Sequence, residues 1–451
     1  MNIDAYLRGI LGICLLTGIA FLFSNNRKKI NWRLVGSGLL LQIFFGVLII
    51  KGDDLQALWY PLGYPKMAFM FFSSVFVKLL SFTSEGANFI FGNLSIPPGF
   101  QNSLGFYFAF QVLPTIIFFS ALMSVLYYLG IMQKVVGAMA WIMARIMGTS
   151  GAESLSNTAN IFIGQTEAPL MIRPFIKDLT ESELLTIMVG GMATIAGGVM
   201  AAYVQMLGQA YAQAHGIGME AGQIKFAAQL MGGSIMAAPA GLLISKILFP
   251  ETGSPVTQGK VKVPTEKNAS NVIEAAASGA SDGMMLSLNI AAMLLAFIAL
   301  IALSNYLLTS LGDVTGWNAY FLSTFGQPLS MQLLFGLIFQ FIAYGIGVPW
   351  NEAFQFGTLL GTKVVLNEFV AYLDMSKMMG AHQLVSEKSI MMATYALCGF
   401  ANFSSIAIQI GGIGSLAPNR KKDISKLGLL AVLGGMLATL LTATIGGILA
   451  G

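Results

Sequence analysis

Apolar stretches recur along the whole chain, and most of them are long enough to form transmembrane helices. Crossing the roughly 30 Å hydrocarbon core of a bilayer takes about 20 apolar residues in a helix. The stretches lack the short alternating segments of a membrane β-barrel, so helices are the structure that satisfies their backbone in a bilayer. The pattern predicts eight full crossings, near residues 3–23, 33–50, 105–131, 184–212, 226–248, 286–309, 388–414 and 425–450.

Three further stretches are apolar but too short or too interrupted to cross. Residues 134–147 carry Lys134 and Arg145 near the ends of a short apolar segment, which predicts a helix lying in the membrane interface. Residues 150–176 and 350–378 are polar at both ends and again in the middle. Such a run suits a re-entrant hairpin, whose tip must be sheltered by protein or line a wet cavity.

The two predicted hairpins lie in similar surroundings. Each follows a crossing and an amphipathic segment, and each precedes an acidic residue, Glu183 or Glu387, and another crossing. The predicted topology has the first hairpin entering from inside and the second from outside, an inverted repeat of the kind typical of secondary transporters. Chance similarity of two hydrophobic halves is the alternative. The predicted parts are scaffold helices over 1–60, a first half over 61–249, a cytoplasmic linker over 250–270 and a second half over 271–451.

Composition agrees with a membrane protein. Only 10% of the 451 residues are charged, where a soluble domain carries about 25%, and the mean hydropathy is +0.74. The first apolar run is followed by "NNRKKINWR" without a small-residue cleavage site, which indicates a retained helix rather than a signal peptide. The predicted fold class is an all-α polytopic membrane protein with eight transmembrane helices, two re-entrant hairpins, interfacial helices and an inverted repeat.

The basic residues predict the orientation of the chain. If the first crossing runs from outside to inside, 15 of the 24 Lys and Arg residues fall inside and five outside. The positive-inside rule then places both termini outside. Lys260, Lys262 and Lys267 of the linker are among the inside residues. The formal net charge of +4 therefore reports topology and not nucleic-acid binding.

Two carboxylates occupy equivalent positions in the predicted hairpins. Glu167 lies in "GQTEAP" and Glu368 in "VVLNEFVAYLD". An ionisable group near the bilayer centre costs about 3 kcal/mol or more, so it usually marks a substrate or ion path. A buried Glu368 satisfied by Lys363 is the alternative. Hydrogen-bonding capacity fits a polar, hydroxylated heterocycle, with a base beside Gln165, Thr166 and Glu167 and a sugar beside Glu368, Asn402 and Ser405.

A glycine-rich stretch within one crossing suggests a cation site. "GGMATIAGG", residues 190–198, predicts local unwinding near Thr194 and Ile195, which would free their carbonyl oxygens. A hard monovalent cation prefers oxygen ligands. Asn160 and the Ile163 carbonyl of the neighbouring hairpin could complete a sodium site. Close helix packing is the alternative explanation of the small residues.

Three motifs together resemble the concentrative nucleoside transporter family. They are "GQTEAP" at 164–169, "GVPWNEAFQFGTLLGTKVVLNEFVAY" at 347–372 and "FANFSSIAI" at 400–408. The resemblance implies a homotrimer in the bacterial inner membrane that takes up nucleosides with sodium and needs no other cofactor. "TEAP" is similar to the sodium-coupled members, and a proton-coupled nucleoside permease is the alternative.

The resemblance also implies a role for each candidate residue. Gln165, Thr166 and Glu167 would contact the base, and Phe400 would line the pocket. Glu368, Asn402 and Ser405 would contact the ribose. The implied sodium ligands are Asn160, Ile163, Thr194 and Ile195.

Two functions from other classes compete with transport by symport. "GTSG" and "AHGIG" superficially match the serine and histidine motifs of rhomboid-like intramembrane proteases. The predicted topology separates Ser150 from His215, whereas a nucleophile and its base must lie about 3 Å apart. We therefore expect no enzyme. A passive channel is the second competitor, and uphill uptake would exclude it.

Overall fold

The computed structural model describes residues 3–98, 100–259 and 269–451, and every regular element in these ranges is a helix. The all-α prediction is confirmed. Residues 260–268 of the predicted linker, with Lys260, Lys262 and Lys267, lie outside the described residues.

The helices up to the linker contain the first hairpin. Its second arm is a 3₁₀ helix, Ala168–Asp178. The α-helices are α1 (Ile3–Leu22), α2 (Trp32–Ile50), α3 (Gly52–Leu58), α4 (Tyr64–Phe91), α5 (Phe108–Gln111), α6 (Leu113–Tyr128), α7 (Ile131–Met147), α8 (Gly151–Ala159), α9 (Glu181–Ala193), α10 (Gly197–His215) and α11 (Met219–Leu248).

The helices after the linker repeat much of this order. An amphipathic helix, a two-armed hairpin, a broken crossing and an unbroken crossing follow one another in both halves. The α-helices are α12 (Val272–Thr315), α13 (Trp317–Phe325), α14 (Met331–Gly345), α15 (Trp350–Val365), α16 (Glu368–Gly380), α17 (Glu387–Leu397), α18 (Phe403–Leu416) and α19 (Lys421–Ala450).

Seven helical segments among the described residues are long and apolar enough to cross a membrane, and the bent pair α14 and α15 makes an eighth if it counts as one span. Six of the seven coincide with predicted crossings. The seventh, Tyr60–Ser95, contains α4, for which no crossing was predicted because Lys66, Lys78 and Glu85 interrupt its apolar run. The predicted crossing over 388–414 is formed by two short helices, α17 and α18.

Polar caps determine where the hairpin arms and broken helices begin. Ser150 starts α8 and Thr180 starts α9, each in a reciprocal capping box with the Glu three residues later. Asn367 caps α16 and Asn402 caps α18 by accepting a backbone N–H. Caps satisfy N–H groups that the first helical turn leaves without partners. The caps therefore allow helices to start within the apolar interior of the protein.

The two broken crossings contact each other at their breaks. Between α9 and α10, Thr194 has an extended backbone, which confirms the predicted unwinding. Between α17 and α18, Gly399 has a φ of +134°, and a Cβ there would lie 2.5 Å from the Met192 carbonyl oxygen. Only glycine allows this approach and this backbone conformation. On α11, Ser234 accepts from the Ile195 N–H at 3.4 Å and lies 3.6 Å from the Cys398 sulfur of the other break.

A buried ion cluster fixes the first hairpin where it begins. Lys246 of α11 lies 2.7 Å from the Glu153 carboxylate of α8 and donates to Ser182 at 2.9 Å. Both charged side chains are less than 5% exposed. Ser150 donates to Glu183 at 2.6 Å. The cluster therefore ties α8, α9 and α11 together away from solvent.

Replacing the cluster's lysine tests this structural role. Lys246→Ala leaves the Glu153 carboxylate buried without its cation, which costs about 3 kcal/mol or more. We expect a lower Tm in detergent, measured by thermal unfolding of the purified protein. The control is Lys377→Ala, since Lys377 is 66% exposed in its pair with Asp374 and exposed pairs contribute about 1 kcal/mol or less. Equal Tm values for the two variants would contradict the assigned role.

Candidate functional site

The tips of the two hairpins place their carboxylates at matching positions. In the first hairpin α8 ends at Ala159, and Glu167 directly precedes the second arm. In the second hairpin α15 ends at Val365, and Glu368 is the first residue of the second arm. Their surroundings differ, because Glu368 is buried and Glu167 is exposed.

Glu368 is held by hydrogen bonds from both broken crossings. The Tyr203 hydroxyl of α10 donates to one carboxylate oxygen at 2.8 Å. The Asn402 side-chain amide, at the start of α18, donates to the other at 3.1 Å. Carboxylates have about four lone-pair positions, so these two bonds leave acceptor capacity for a ligand.

Lys363 does not form the alternative partnership with Glu368. Its ammonium group donates to the Ala396 carbonyl at 2.7 Å and to the Thr439 hydroxyl at 3.0 Å. Ala396 lies in the last turn of α17, where a cation is stabilised by the carbonyls that the helix end leaves free. Lys363 therefore satisfies a backbone carbonyl at the break between α17 and α18. The Glu368 carboxylate is instead bound by neutral donors.

Gln165 of the first tip joins the same region. Its amide nitrogen donates to the Ser405 hydroxyl at 3.3 Å, and its amide oxygen accepts from the Gln409 side chain at 3.0 Å. Ser405 in turn donates its backbone N–H to the Asn402 side-chain oxygen at 2.9 Å. Contacts thus run continuously from Glu368 through Asn402 and Ser405 to Gln165, and connect the two hairpin tips through α18.

Three predicted site residues lie at the edge of this network. Phe400 is half-buried in the break before α18, and its carbonyl accepts from the Asn402 N–H at 2.9 Å. Thr166 packs against α18 at Gly412, where a Cβ would lie 2.8 Å from the threonine methyl. The Glu167 carboxylate folds back over Gly164. In the described part of the chain, no side-chain hydrogen bond links Thr166 or Glu167 to the network.

Oxygen atoms without donors occur on both sides of the contact between the first tip and the break in its neighbouring crossing. The Asn160 side-chain oxygen is buried and has no hydrogen-bond partner among the described residues. The Gly197 N–H donates to the Phe162 carbonyl at 3.0 Å, which holds the tip against the break. The Thr194 hydroxyl donates to the Gly190 carbonyl at 2.9 Å, so its lone pairs stay free.

The carbonyl oxygens of Ile163, Thr194 and Ile195 complete this set. No donor among the described residues reaches any of the three. Thr194 and Ile195 are buried and Ile163 is half-buried, and carbonyls in such places are normally paired with a donor, a water or an ion. Neutral oxygens of this kind fit a hard monovalent cation.

Two residues of the network had no assigned role from sequence. Tyr203 and Gln409 are both buried, and both contact predicted site residues. The signal available for Gln409 was a polar amide within an apolar crossing, which usually has a function or a partner. A tyrosine in a crossing is less informative, since its ring is apolar.

The protease alternative is inconsistent with the structure. The Ser150 hydroxyl donates to Glu183 near the start of α9, whereas His215 is the last residue of α10 and stacks on Tyr211. Helices α9 and α10, the two halves of one broken crossing, therefore separate Ser150 from His215. Ser150 acts as a helix cap.

Three family models match successive parts of the chain. A model described as Na+ dependent nucleoside transporter N-terminus matches residues 11–94, and one described as nucleoside recognition matches residues 109–210. A model described as Na+ dependent nucleoside transporter C-terminus matches residues 229–447.

Relatives match over almost the full length. An uncharacterized transporter of Haemophilus influenzae is 45% identical over 99% of this chain and 98% of its own. The nucleoside permease NupC of Helicobacter pylori is 39% identical over 98% of this chain and 97% of its own. The solved structure of CNTnw in an inward-facing substrate-bound state is 39% identical, covers 99% of both chains and superposes with a TM-score of 0.83.

The motifs, the helical architecture and these matches agree with one another along the whole chain. The family is one of transporters and not of enzymes. This chain belongs to the concentrative nucleoside transporter family.

Proposed function

We propose that the protein imports nucleosides together with sodium by alternating access. The observation that carries the proposal is the shared first tip. Asn160 carries a buried side-chain oxygen without a donor, and Gln165, five residues later, lies in the network that reaches Glu368. One short turn therefore takes part in both candidate sites, which supports coupling between ion and substrate.

The Glu368 end of the network is the proposed ribose site. A carboxylate held by Tyr203 and Asn402 keeps lone pairs directed at a ligand, and vicinal hydroxyls are matching donors. The Ser405 hydroxyl accepts from Gln165 and has its own proton left to donate. Gln165, Thr166 and Glu167 would contact the base, with Phe400 lining the pocket.

Asn160, Ile163, Thr194 and Ile195 are the proposed sodium ligands. A sodium ion there would connect the first tip to the break between α9 and α10. Ordering the tip would also order Gln165, so each ligand would favour binding of the other. A cation entering down about 100 mV supplies roughly 2.3 kcal/mol, and a tenfold gradient adds about 1.4. One ion per nucleoside would then support accumulation of several hundredfold.

The proposed setting is a homotrimer in a bacterial inner membrane with both termini outside. The division into scaffold helices, two inverted halves and a cytoplasmic linker belongs to the same proposal, with the hairpin-bearing part moving. Proton coupling and a passive channel are the competing functions. The orphaned oxygens of the first tip favour sodium, because they are neutral and need no proton.

Uptake into proteoliposomes tests the proposal directly. Radiolabelled uridine and adenosine would be supplied with a sodium gradient, a proton gradient or neither. We expect uphill uptake with the sodium gradient alone. Uphill uptake with the proton gradient alone would establish the permease alternative, and equilibration without accumulation under every condition would establish a channel.

Glu368→Gln should weaken recognition of ribose hydroxyls. Hydrogen bonds to a charged group contribute about 1.5–3 kcal/mol, so the KM for uridine should rise at least tenfold. The variant should also lose most of its discrimination against 2′,3′-dideoxyuridine, because the lost bonds involve those hydroxyls. The control is Glu85→Gln on the exposed surface of α4. Unchanged discrimination in Glu368→Gln would refute the ribose assignment.

Asn160→Ala and Thr194→Ala should raise the sodium concentration required for half-maximal uptake. Each removes one side-chain oxygen from the proposed ligand set, and we expect a shift of about tenfold for each. Thr17→Ala is a matched control, since Thr17 on α1 also donates its hydroxyl to the carbonyl four residues earlier. Sodium dependence that stays at the wild-type value in both site variants would exclude this location.

A further inference from the structure

The side chain of Gln409 makes two hydrogen bonds that together determine how Gln165 faces the site. Gln409 is completely buried on α18, one turn after Ser405. Its amide nitrogen donates to the Met188 carbonyl of α9 at 2.9 Å and to the Gln165 side-chain oxygen at 3.0 Å. Both protons of the Gln409 amide are therefore in use.

The Met188 carbonyl determines the orientation of the Gln409 side-chain amide. A backbone carbonyl can only accept, so the Gln409 group that faces it must be the donor NH₂. The reversed amide would place two acceptors together in a buried site, which is costly. The same NH₂ faces Gln165, so Gln165 must turn its own oxygen toward Gln409.

The orientation of Gln165 follows from this contact. With its oxygen occupied, Gln165 directs its NH₂ away from Gln409, and one proton goes to Ser405 at 3.3 Å. The second proton remains available to a ligand. A backbone carbonyl outside the network thus determines that Gln165 acts as a donor at the candidate base site.

A glycine allows the two amides to meet. A Cβ at Gly191 of α9 would lie 2.8 Å from the Gln165 Cβ and 3.2 Å from the Gln409 amide nitrogen. A side chain there would have to displace one of them. Space for the contact therefore comes from α9, the same helix that supplies the Met188 carbonyl.

We propose that Gln409 is a positioning residue. Through Gln165 it makes the site select nucleobases that carry a hydrogen-bond acceptor at C4 of a pyrimidine or C6 of a purine. This inference rests on the proposed nucleoside transport and on Gln165 as a base contact. Uracil and hypoxanthine carry a carbonyl oxygen there, whereas cytosine and adenine carry an amino group that donates. A Gln165 N–H pairs with the carbonyl and opposes the amino group.

The substitution Gln409→Glu tests the proposal by reversing the amide. A buried glutamate is stable in its protonated form, whose O–H can donate to the Met188 carbonyl. Its remaining oxygen only accepts, so Gln165 must flip, donate to it and turn its own oxygen to the ligand. The KM ratio of cytidine to uridine, above one in wild type, should fall about tenfold or more, the equivalent of one hydrogen bond.

Gln409→Met is the second variant and removes the constraint without imposing the opposite one. The KM ratio should then approach one, because Gln165 can adopt either orientation. This variant also carries the test if the glutamate variant does not fold. A changed ratio of the two KM values, rather than an equal rise in both, separates a change of base preference from general damage to the transport cycle.

Gln42→Glu is the matched control. Gln42 on α2 is also completely buried, donates from its amide nitrogen to Thr442 at 2.9 Å, and has a buried amide oxygen without a partner. The same chemical change at that position should leave the KM ratio unchanged.

The outcomes separate this inference from the proposed function. If wild type transports none of uridine, cytidine, inosine and adenosine, nucleoside transport itself is refuted. If wild type transports both with equal KM, or if the Gln409 variants keep the wild-type ratio, transport stands and the positioning role is refuted.

Discussion

The structure depends on one constraint, that backbone groups inside a bilayer must find partners within the protein. Among the described residues, helical structure is interrupted at the two hairpin tips and within the two broken crossings. Backbone groups at one interruption contact those at another. The Phe162 carbonyl accepts from Gly197, and Gly399 lies against the Met192 carbonyl. Caps such as Asn402 satisfy the helix starts, and the unbroken helices α11 and α19 pack around the breaks.

The candidate sites consist of the groups that this arrangement leaves incompletely satisfied. In the proposed roles, the carbonyls at the first tip accept a cation, and Glu368, which already accepts from Tyr203 and Asn402, also accepts ligand hydroxyls. The binding capacity follows from the breaks rather than from an added pocket. Lys363 shows the complementary case. Its ammonium group donates to the Ala396 carbonyl at the end of α17, so a side chain of the protein itself satisfies this oxygen at the second break.

Sequence predicted the spans, the hairpins and the residues at their tips, because these depend on local hydropathy and on polar residues in unusual places. The partners could not be predicted in this way. Lys363 is five residues from Glu368, yet α15 ends between them and the lysine binds α17. Tyr203, which donates to Glu368 beside the predicted Asn402, is 165 residues away. The direction in which a side chain points at a helix break depends on tertiary packing, which no local sequence pattern encodes. Helix α4 was missed for a different reason, since Lys66, Lys78 and Glu85 interrupt its apolar run.

The two hairpins begin with similar chemistry but in different environments. At the first, Lys246 and Glu153 form an ion pair buried among α8, α9 and α11. At the second, Glu352 accepts from the backbone of Val385 and Ser386 at 2.9 Å, and the neighbouring pair of Lys225 with Glu387 is partly exposed. Exposed pairs are screened by water and salt and contribute little, whereas a buried pair is costly to break. The Lys246 pair is therefore the stronger restraint of the two ion pairs, whereas the second hairpin is held at its base by the hydrogen bonds of Glu352 and at its tip by those of Glu368.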